Sequence, residues 1–317
     1  MIYFVYAGDP LGRAKNSPNT ISQNIFRRIQ KKSDVSFIDW KYTGPIYLRD
    51  GDVIIGHPHP NRNTVMWKVF DTRCSVKRYL MFPFSHGIPS DNLWADDLVM
   101  MSDGWLPITG PYWTETIDKS PFSHWKRRML ARLDMAIDPN DFPRTKIEWS
   151  PVGERVFFGV GDTRPAKGQD QLFDLALELD LRLVYAGVIS ERNLEIGKKL
   201  SYFQFLGYAP MHDRAFQKEL CKKVDFFLHC GVSDANPTTI LECASLGLPV
   251  ICTPESGYDA HELVWMKPEN LVGYMPYLSE KDDGFLSSLS SNISTFASLY
   301  TWDRFWNTMK GAINELQ

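Results

Sequence analysis

The chain has 317 residues and a formal net charge of −3, and with 44% apolar and 13% aromatic residues it is too hydrophobic to be disordered. This length favours two domains of about 150 residues each. Residues 1–150 hold 20 basic and 16 acidic side chains and residues 151–317 hold 15 and 22, an imbalance too weak to indicate a nucleic-acid-binding protein.

The sequence also argues against a membrane-spanning or secreted protein. No apolar run approaches the roughly 20 residues that span a bilayer, and "MIYFVYAG" lacks the basic start and cleavage site of a signal peptide. We therefore expect a cytoplasmic protein. The cysteines are odd in number, show no C-x-x-C pair and mostly lie in apolar runs, so we interpret them as reduced core residues: Cys74, Cys221, Cys230, Cys243 and Cys252.

The amino-terminal half alternates predicted strands and helices. "IYFVYAG" predicts a strand, which leads through a loop with Gly8 and Gly12 into the helical periodicity of "NTISQNIFRRIQKK". "DGDVIIGHPHPN" and "RYLMFPFSHGIP" predict two more strands, whose carboxyl-end loops carry His57, His59 and His86. Such alternation indicates a parallel sheet covered by helices on both faces.

The carboxyl-terminal half repeats this pattern after "AIDPNDFPRTKIEWSPVGE", which we interpret as an interdomain linker. "RVFFGVG", "LRLVYAG", "YFQFLG", "DFFLHCG" and "PVICTP" predict strands, and "QDQLFDLALELD", "RAFQKELCKKV" and "TTILECASLG" predict helices. The sequence therefore predicts an α/β protein with a Rossmann-like amino-terminal domain at residues 1–150 and a second such domain at 151–300. An amphipathic helix at 301–317 follows. Because ligands bind beyond the carboxyl ends of parallel strands, we expect the two doubly wound domains to face each other across a cleft.

A helix start in "GVSDANPTTILECASLGLPV" has the features of an anion site. Asn236 is a favourable N-cap and Pro237 suits the first helical position, which predicts free N–H groups directed beyond the preceding strand. Glu242 follows Thr238 by four residues on the same helical face. A carboxylate there would repel phosphate but accept hydrogen bonds from ribose hydroxyls, and Asp234 would reach further along the same ligand.

A second loop supplies cations. "DTRPAKG" follows the strand "RVFFGVG" and carries Arg164 and Lys167. "GVGDTR" begins like a dinucleotide fingerprint, but Arg164 occupies the third glycine position, which disfavours an oxidoreductase. An arginine and a lysine suit a diphosphate better.

These segments together resemble a known family. "DTRPAKG", "FLGYAP", "DFFLHCGVSDANPTTILECASLGLPVICT" and "ESGYDAHELV", in this order, are similar to the carboxyl-terminal domain of retaining glycosyltransferases of family 4, which have the GT-B fold. The E-x7-E motif of that family corresponds here to Asp234-x7-Glu242. The resemblance covers residues 151 to about 306, whereas the amino-terminal domain matches only in layout. Two departures are the shorter Asp234 and an acid, Asp162, where the family often has arginine.

The resemblance implies a role for each matching residue. The catalytic residues that it implies lie at the diphosphate and the donor sugar: Asp234, Arg164, Lys167 and His86. Among the implied donor-binding residues, Glu242 contacts the ribose. The helix start contacts the distal phosphate, through Asn236, Pro237, Thr238 and Thr239. The group also includes Gly161, and Gly207 and Tyr208 are expected near the base. The acceptor is expected around residues 8–16 and 57–61, including Gly8, Gly12, His57 and His59.

The implied function is transfer of a sugar from a UDP or GDP sugar to a glycan or lipid-linked acceptor with retention of configuration. Fixed cations and helix N–H groups would stabilise the departing diphosphate, so we expect no cofactor and no obligatory metal. The alternatives are a sugar-nucleotide epimerase or hydrolase on the same fold, and a non-catalytic member that binds a partner through the cleft.

Three segments leave other interpretations open. His57 and His59 could contribute to a metal site, although no third ligand is evident at useful spacing. Asp50 and Asp52 resemble the D-x-D of metal-dependent transferases, although a turn into the next strand is favoured. Residues 124–133 mix apolar and basic side chains, which fits a solvated linker helix or a peripheral membrane contact.

Overall fold

The computed structural model describes residues 1–12, 17–31 and 33–316. The chain divides into unit 1, Met1–Asp134 with Trp302–Gln317, and unit 2, Met135–Thr301. This differs from the division at residues 150 and 300 that the sequence suggests, because the end of the first predicted domain packs into unit 2 and the terminal helix packs into unit 1.

Unit 1 contains a parallel sheet whose described strands have the order β2-β1-β3-β4-β5. Its strands are β1 (Ile2–Tyr6), β2 (Val35–Asp39), β3 (Val53–Gly56), β4 (Lys77–Pro83) and β5 (Gly104–Ile108). Its first helices are α1 (Ser17–Gln30), α2 (Val65–Phe70), α3 (Asp96–Met101) and α4 (Pro111–Glu115). The chain passes from β1 outward to β2 and then crosses to β3, so the order reverses at β1.

Unit 2 contains a second parallel sheet, of order β11-β10-β9-β6-β7-β8 over the described residues. Its strands are β6 (Val156–Gly161), β7 (Arg182–Gly187), β8 (Phe203–Phe205), β9 (Phe226–His229), β10 (Val250–Cys252) and β11 (Val264–Trp265). Its helices are α5 (Gln169–Glu178), α6 (Glu191–Gly197), α7 (Arg214–Lys223), α8 (Thr238–Ser245), α9 (Pro268–Ser279) and α10 (Asp283–Ser298). Here the order reverses between β6 and β9.

Both sheets are covered on both faces. Successive strand residues point to opposite faces of a sheet. Phe4 and Val5 in β1 are both buried, and so are Phe157 and Phe158 in β6. The predicted doubly wound architecture is therefore confirmed in each half. Four of the cysteines are buried and Cys74 is half-buried, and all five are free thiols.

The terminal helix α11 (Trp302–Ala312) completes unit 1. Its apolar face buries Trp302, Phe305, Trp306 and Met309, as the amphipathic pattern predicts. None of the described helices combines the length and the hydropathy needed to cross a bilayer.

The segment interpreted as a linker is packed within unit 2. Lys146 is fully buried, and its Nζ lies 3.0 Å from Oδ1 of Asp225, which is also fully buried. The backbone amides of Thr145 and Lys146 both approach the carbonyl oxygen of Leu246 at 2.9 Å. A buried ion pair and these backbone contacts tie the segment to the β9 and α8 region, so it is structural rather than a free connection.

Residues 124–133 do not form the predicted linker helix. A 3-10 turn covers Ser123–Arg128, and residues 129–133 then run beside β5. Trp125 is fully buried, and its Nε1 donates to Oδ1 of Asp96 at 2.6 Å. This indole is therefore a core side chain and does not contribute to a membrane-facing patch.

Candidate functional site

Two loops meet at the point where the strand order of unit 2 reverses. One follows β6 and the other follows β9, and the backbone amides of Val232 and Ser233 in the second loop donate to the carbonyl oxygen of Ala166 in the first, at 3.0 and 3.2 Å. Such a reversal point is the usual ligand site of a doubly wound sheet. The fold therefore brings the predicted cation loop beside the predicted anion loop.

Lys167 and Asp234 form an ion pair across these loops. Lys167 Nζ lies 2.7 Å from Oδ2 of Asp234, and Nε2 of His229 lies 3.2 Å from the same oxygen. Burial acts to raise the pKa of Asp234, but the charges and hydrogen bonds of Lys167 and His229 outweigh it and hold the pKa well below the ordinary aspartate value. Asp234 is therefore ionised throughout the physiological range.

His229 is a site residue that sequence reasoning missed. It is the last residue of β9 and is only 3% exposed. The signal was a titratable residue at the carboxyl end of an otherwise apolar strand in "DFFLHCG", directly before the acidic loop.

Gly168 permits the close approach of the two loops. Its φ is +64°, and a Cβ built there would lie 1.6 Å from the carbonyl oxygen of Cys230. Only glycine fits both the left-handed backbone and the contact. Gly168 also joins the turn that carries Lys167 to α5, as the N-cap of that helix.

The helix α8 begins one residue later than predicted, so the predictions for both Asn236 and Pro237 are wrong. Asn236 is not the N-cap: Pro237 occupies that position with extended backbone, and no side chain caps the helix. The Oδ1 of Asn236 is used elsewhere, because it accepts a hydrogen bond from the backbone amide of Met135 and lies 3.3 Å from the hydroxyl of Tyr258. The first helical residues are Thr238 and Thr239, both half-buried.

Tyr258 is a second residue that the sequence did not single out. It is fully buried, and its hydroxyl also lies 3.2 Å from the carbonyl oxygen of Pro237. The hydroxyl thus ties the residues before α8 to the loop after β10. Its signal was an aromatic side chain in the turn "SGYD".

Glu242 lies one helical turn beyond Thr238 in α8 and is half-buried. Within the described part of the chain, no hydrogen bond or ion pair reaches its carboxylate, and burial raises its pKa to about 7. Burying an unpaired carboxylate is costly in the free chain. A ligand that donates hydrogen bonds to it would offset that cost.

Arg164 faces a neighbouring carboxylate in this structure. Its guanidinium donates through Nε and Nη2 to the oxygens of Asp162 at 2.7 to 3.0 Å, and its side chain is 70% exposed. Burial acts to raise the pKa of Asp162, but Arg164 outweighs it and the pKa is lowered. The acid that departs from the family pattern is therefore the partner of the arginine predicted to bind diphosphate.

The predicted glycines of unit 2 line the same edge of the sheet. Gly161 ends β6, and its carbonyl oxygen accepts from the amide of Val188 at 3.0 Å. Gly207 has φ +65°, and its carbonyl oxygen accepts from the amide of Gly187 at 2.6 Å. Tyr208 follows it and is 76% exposed.

His86 lies in unit 1, beyond the end of β4. Its Nε2 is 2.9 Å from Oγ1 of Thr116, and its ring packs edge-on against Trp113 at 4.8 Å between centroids. Burial lowers its pKa, so the imidazole is neutral at neutral pH.

The predicted acceptor-side residues also lie in unit 1, where those at 13–16 fall outside the described residues. Gly8 follows β1 with φ +88°, and the carbonyl oxygen of Gly12 accepts from the side-chain amide of Gln23. His57 follows β3 directly, and His59 packs beside it on Trp40.

The structure supports the turn interpretation of Asp50 and Asp52. Oδ1 of Asp50 accepts from the amide of Ser75 at 2.7 Å, and Oδ2 of Asp52 accepts from the amide of Arg49 at 2.8 Å. Across the described residues, no group of three or more histidine, cysteine, aspartate and glutamate side chains is arranged to hold a metal ion.

Neither a known family profile nor a curated protein sequence matches the chain. Solved structures do. The sucrose-phosphate synthase of Thermosynechococcus elongatus is 12% identical, with a TM-score of 0.72 over 99% of this chain and 98% of that one. The fold is GT-B. HepE of Anabaena, solved with UDP-glucose, is 13% identical with a TM-score of 0.66 over 99% of both chains.

A third GT-B structure, the lipopolysaccharide outer core galactosyltransferase WaaB in its apo form, is 14% identical. Its TM-score is 0.65 over 100% of this chain and 99% of that chain. At such identities the likeness establishes the fold and leaves the chemistry to the site residues.

Proposed function

We propose that the chain is a glycosyltransferase that moves a sugar from a nucleoside-diphosphate sugar to an acceptor hydroxyl. The observation that carries this proposal is the arrangement at the reversal point of unit 2. A lysine and a helix start lie there beside Asp234, and the unpaired carboxylate of Glu242 lies one turn further along α8. The full-length GT-B likeness and the UDP-glucose bound to HepE support the same ligand class.

Each group has a role in this proposal. Lys167 and the backbone amides of Thr238 and Thr239 at the start of α8 bind the diphosphate, where positive charge and N–H donors stabilise an anion. Glu242 accepts hydrogen bonds from the ribose hydroxyls, and Asp234 accepts them from the hydroxyls of the donor sugar. Backbone near Gly207 contacts the base.

The resemblance also assigns Arg164 and His86 to the donor. When the donor binds, a diphosphate oxygen replaces Asp162 as the partner of the Arg164 guanidinium, because a dianion competes well for an exposed guanidinium. The neutral imidazole of His86 offers a hydrogen bond to the donor sugar without adding charge.

The chemical step follows from charge. The bond between the anomeric carbon and the phosphate oxygen breaks, and negative charge grows on the departing diphosphate beside Lys167 and the start of α8. The acceptor oxygen bonds to the anomeric carbon on the same face, and its proton passes to the departing phosphate oxygen. The configuration is retained, as in the family 4 enzymes that the sequence resembles, and no protein nucleophile is needed.

Turnover of nucleotide sugars tests the proposal. UDP and GDP sugars are incubated with the protein, with and without glycan and lipid-linked acceptors, and donor loss and product anomer are followed by NMR. Acceptor-dependent donor loss with a retained anomer is the expected result. Donor loss without acceptor would indicate an epimerase or hydrolase, and nucleotide binding without loss of any donor would indicate a non-catalytic binding protein.

Membrane association of the transferase is proposed separately for residues 124–133. The exposed Leu130 and Arg127 could contribute to it, whereas Trp125 is buried and Lys126 forms an ion pair with Asp118 at 2.6 Å. Equal sedimentation of the protein with anionic and neutral vesicles would contradict it.

A further inference from the structure

Three aromatic rings converge at the carboxyl edge of the unit 1 sheet. Tyr6 ends β1, Trp40 follows β2 and His57 follows β3, and these strands are neighbours in the sheet. The His57 ring lies 4.5 Å from Trp40 and 5.4 Å from Tyr6 between centroids. Burial lowers the pKa of His57 to about 4, so its ring is uncharged at neutral pH.

The loop after β3 extends this aromatic surface outward. The His59 ring packs edge-on against Trp40 at 5.0 Å, and Nε1 of Trp67 donates to the carbonyl oxygen of His59 at 2.9 Å. The amide of Asn61 donates to Nδ1 of His59 at 3.0 Å, so the neutral ring carries its proton on Nε2. His59 therefore presents a hydrogen-bond donor beside the two indoles.

Two cations lie over the same indoles. Lys41 Nζ is 5.9 Å from the centre of the Trp40 ring, and the Arg62 guanidinium is 5.1 Å from that of Trp67. Both residues are exposed, and neither forms an ion pair with any carboxylate in the described part of the chain. In the segments 39–44 and 57–67 the only acid is Asp39, whose Oδ1 accepts from the backbone amide of Lys41 at 2.8 Å.

Hydrogen bonds hold the two loops in place. The amide of Val65 donates to the carbonyl oxygen of Tyr42 at 2.9 Å, and Lys68 Nζ donates to that of Gly44 at 3.1 Å. The loop after β2 is thereby tied to the residues that follow the loop after β3. A surface held in this way loses little conformational entropy when a ligand binds.

We propose that Trp40, Lys41, His59, Arg62 and Trp67, the cation-aromatic cluster, form a subsite for a saccharide that bears an anionic group. Indole surfaces pack against the C–H groups of a sugar ring, while two unpaired cations and an imidazole N–H supply donors for a phosphate or carboxylate. A neutral saccharide would leave both cations without a partner. The inference rests on the proposed function, in which this saccharide is the acceptor.

Direct binding tests the subsite without turnover. Glucose 6-phosphate, glucuronate and glucose are titrated into the full chain at low salt by calorimetry. Glucose 6-phosphate or glucuronate is expected to bind at least about tenfold more tightly than glucose, since hydrogen bonds to charged groups exceed neutral ones by this order. The comparison of the first two ligands distinguishes a phosphate from a carboxylate as the anionic group.

Paired variants identify the site of binding. The double substitution Lys41→Gln with Arg62→Gln is expected to lower the affinity for the anionic sugar at least about tenfold and to leave glucose unaffected. Asp39→Asn is expected to raise the affinity for the anionic sugar, because it removes the only acidic side chain in segments 39–44 and 57–67. Lys281→Gln is the matched control, since Lys281 also lies over an exposed aromatic ring, Tyr277, but in unit 2.

Equal binding of glucose and the anionic sugars, absence of binding by all three, or an unchanged affinity in the double variant would overturn the proposal. UDP is titrated into the same samples and should neither displace the anionic sugar nor respond to the double variant. UDP binding without anionic-sugar binding would refute the subsite alone, whereas the opposite result would refute the proposed function.

Discussion

Lys167 Nζ lies 2.7 Å from Oδ2 of Asp234, so the cation that we propose to bind a diphosphate is already paired with a carboxylate. Both side chains are mostly buried, at 23% and 11% exposure. A diphosphate must therefore share Lys167 with Asp234 or displace it. The ion pair offsets the desolvation of both charged groups and fixes the position of the lysine side chain.

Asp234→Asn separates the two roles of this acid. The variant removes the carboxylate that competes for Lys167 but keeps the side-chain shape, so UDP or GDP should bind as tightly as to the native protein or up to about tenfold more tightly. Transfer should fall by about 100-fold, because a charged acceptor for the donor sugar is lost. Calorimetry and steady-state rates measure the two effects. A parallel loss of nucleotide binding would show that Asp234 does not oppose the diphosphate.

Glu242→Gln tests the ribose assignment. Gln has similar shape and helix propensity, but it lacks the charge, and a hydrogen bond to a charged group contributes about 1.5 to 3 kcal/mol. Affinity for the nucleoside diphosphate should fall roughly 10- to 150-fold at pH 8. The loss should shrink at pH 6, because the pKa of Glu242 is about 7 and the native side chain is then largely protonated.

A 2′,3′-dideoxy nucleotide is the matched ligand for this variant. It should bind the native protein weakly, and Glu242→Gln should hardly change its affinity, since the hydroxyls are absent. Calorimetry that gives equal losses for the ribose and dideoxyribose ligands would remove Glu242 from the ribose site.

The same substitution should stabilise the protein without ligand. Burial raises the pKa of Glu242 from 4.5 to about 7, so between these values the folded state binds more protons than the unfolded state and stability falls as pH rises. Glu242→Gln should gain stability progressively from pH 4.5 upward and reach a plateau of about 3 kcal/mol above pH 7. Urea unfolding of both proteins at pH 5 and pH 8 checks this. An equal difference at the two pH values would contradict an unpaired, half-buried carboxylate with a raised pKa.

The sequence was informative where local pattern determines structure. Alternating apolar strands and periodic helices placed β6, α5, β9 and α8, and the order of their loops brought Lys167 and Asp234 to one edge. The sequence was uninformative where contacts between residues far apart in the chain determine the local structure. Nothing local shows that Met135 and Tyr258 engage Oδ1 of Asn236 and leave α8 without a side-chain cap.

Two further differences have the same physical origin. Helical composition suggested a helix in residues 124–133, but burial of Trp125 against Asp96 and pairing with β5 override that propensity. A polar, proline-bearing stretch looked like a linker, but the buried partner of Lys146 is Asp225, 79 residues away. The pairing of Arg164 with Asp162 was within reach of local reasoning, since only one residue separates them.

Activity should survive chelation. In the proposed site, positive charge at the diphosphate comes from Lys167, Arg164 and the N–H groups at the start of α8. A metal ion supplies this charge in metal-dependent transferases. Rates measured in excess EDTA should stay within about twofold of the untreated enzyme. Complete loss of turnover, restored by manganese or magnesium, would instead revive a metal role for Asp50 and Asp52.

Gly168→Ala should destabilise unit 2 far more than Gly207→Ala, although the two glycines have nearly the same backbone conformation, with φ +64° and +65°. Left-handed backbone alone costs an alanine about 1 kcal/mol. At Gly207 the new methyl group meets nothing within 4 Å, but at Gly168 it would lie 1.6 Å from the carbonyl oxygen of Cys230 and force the two site loops apart. We expect losses of about 1 kcal/mol for Gly207→Ala and about 3 kcal/mol or more for Gly168→Ala in urea unfolding. Nucleotide binding should weaken more in Gly168→Ala than in Gly207→Ala. Equal losses of stability in the two variants would show that the loops meet less closely than this geometry requires.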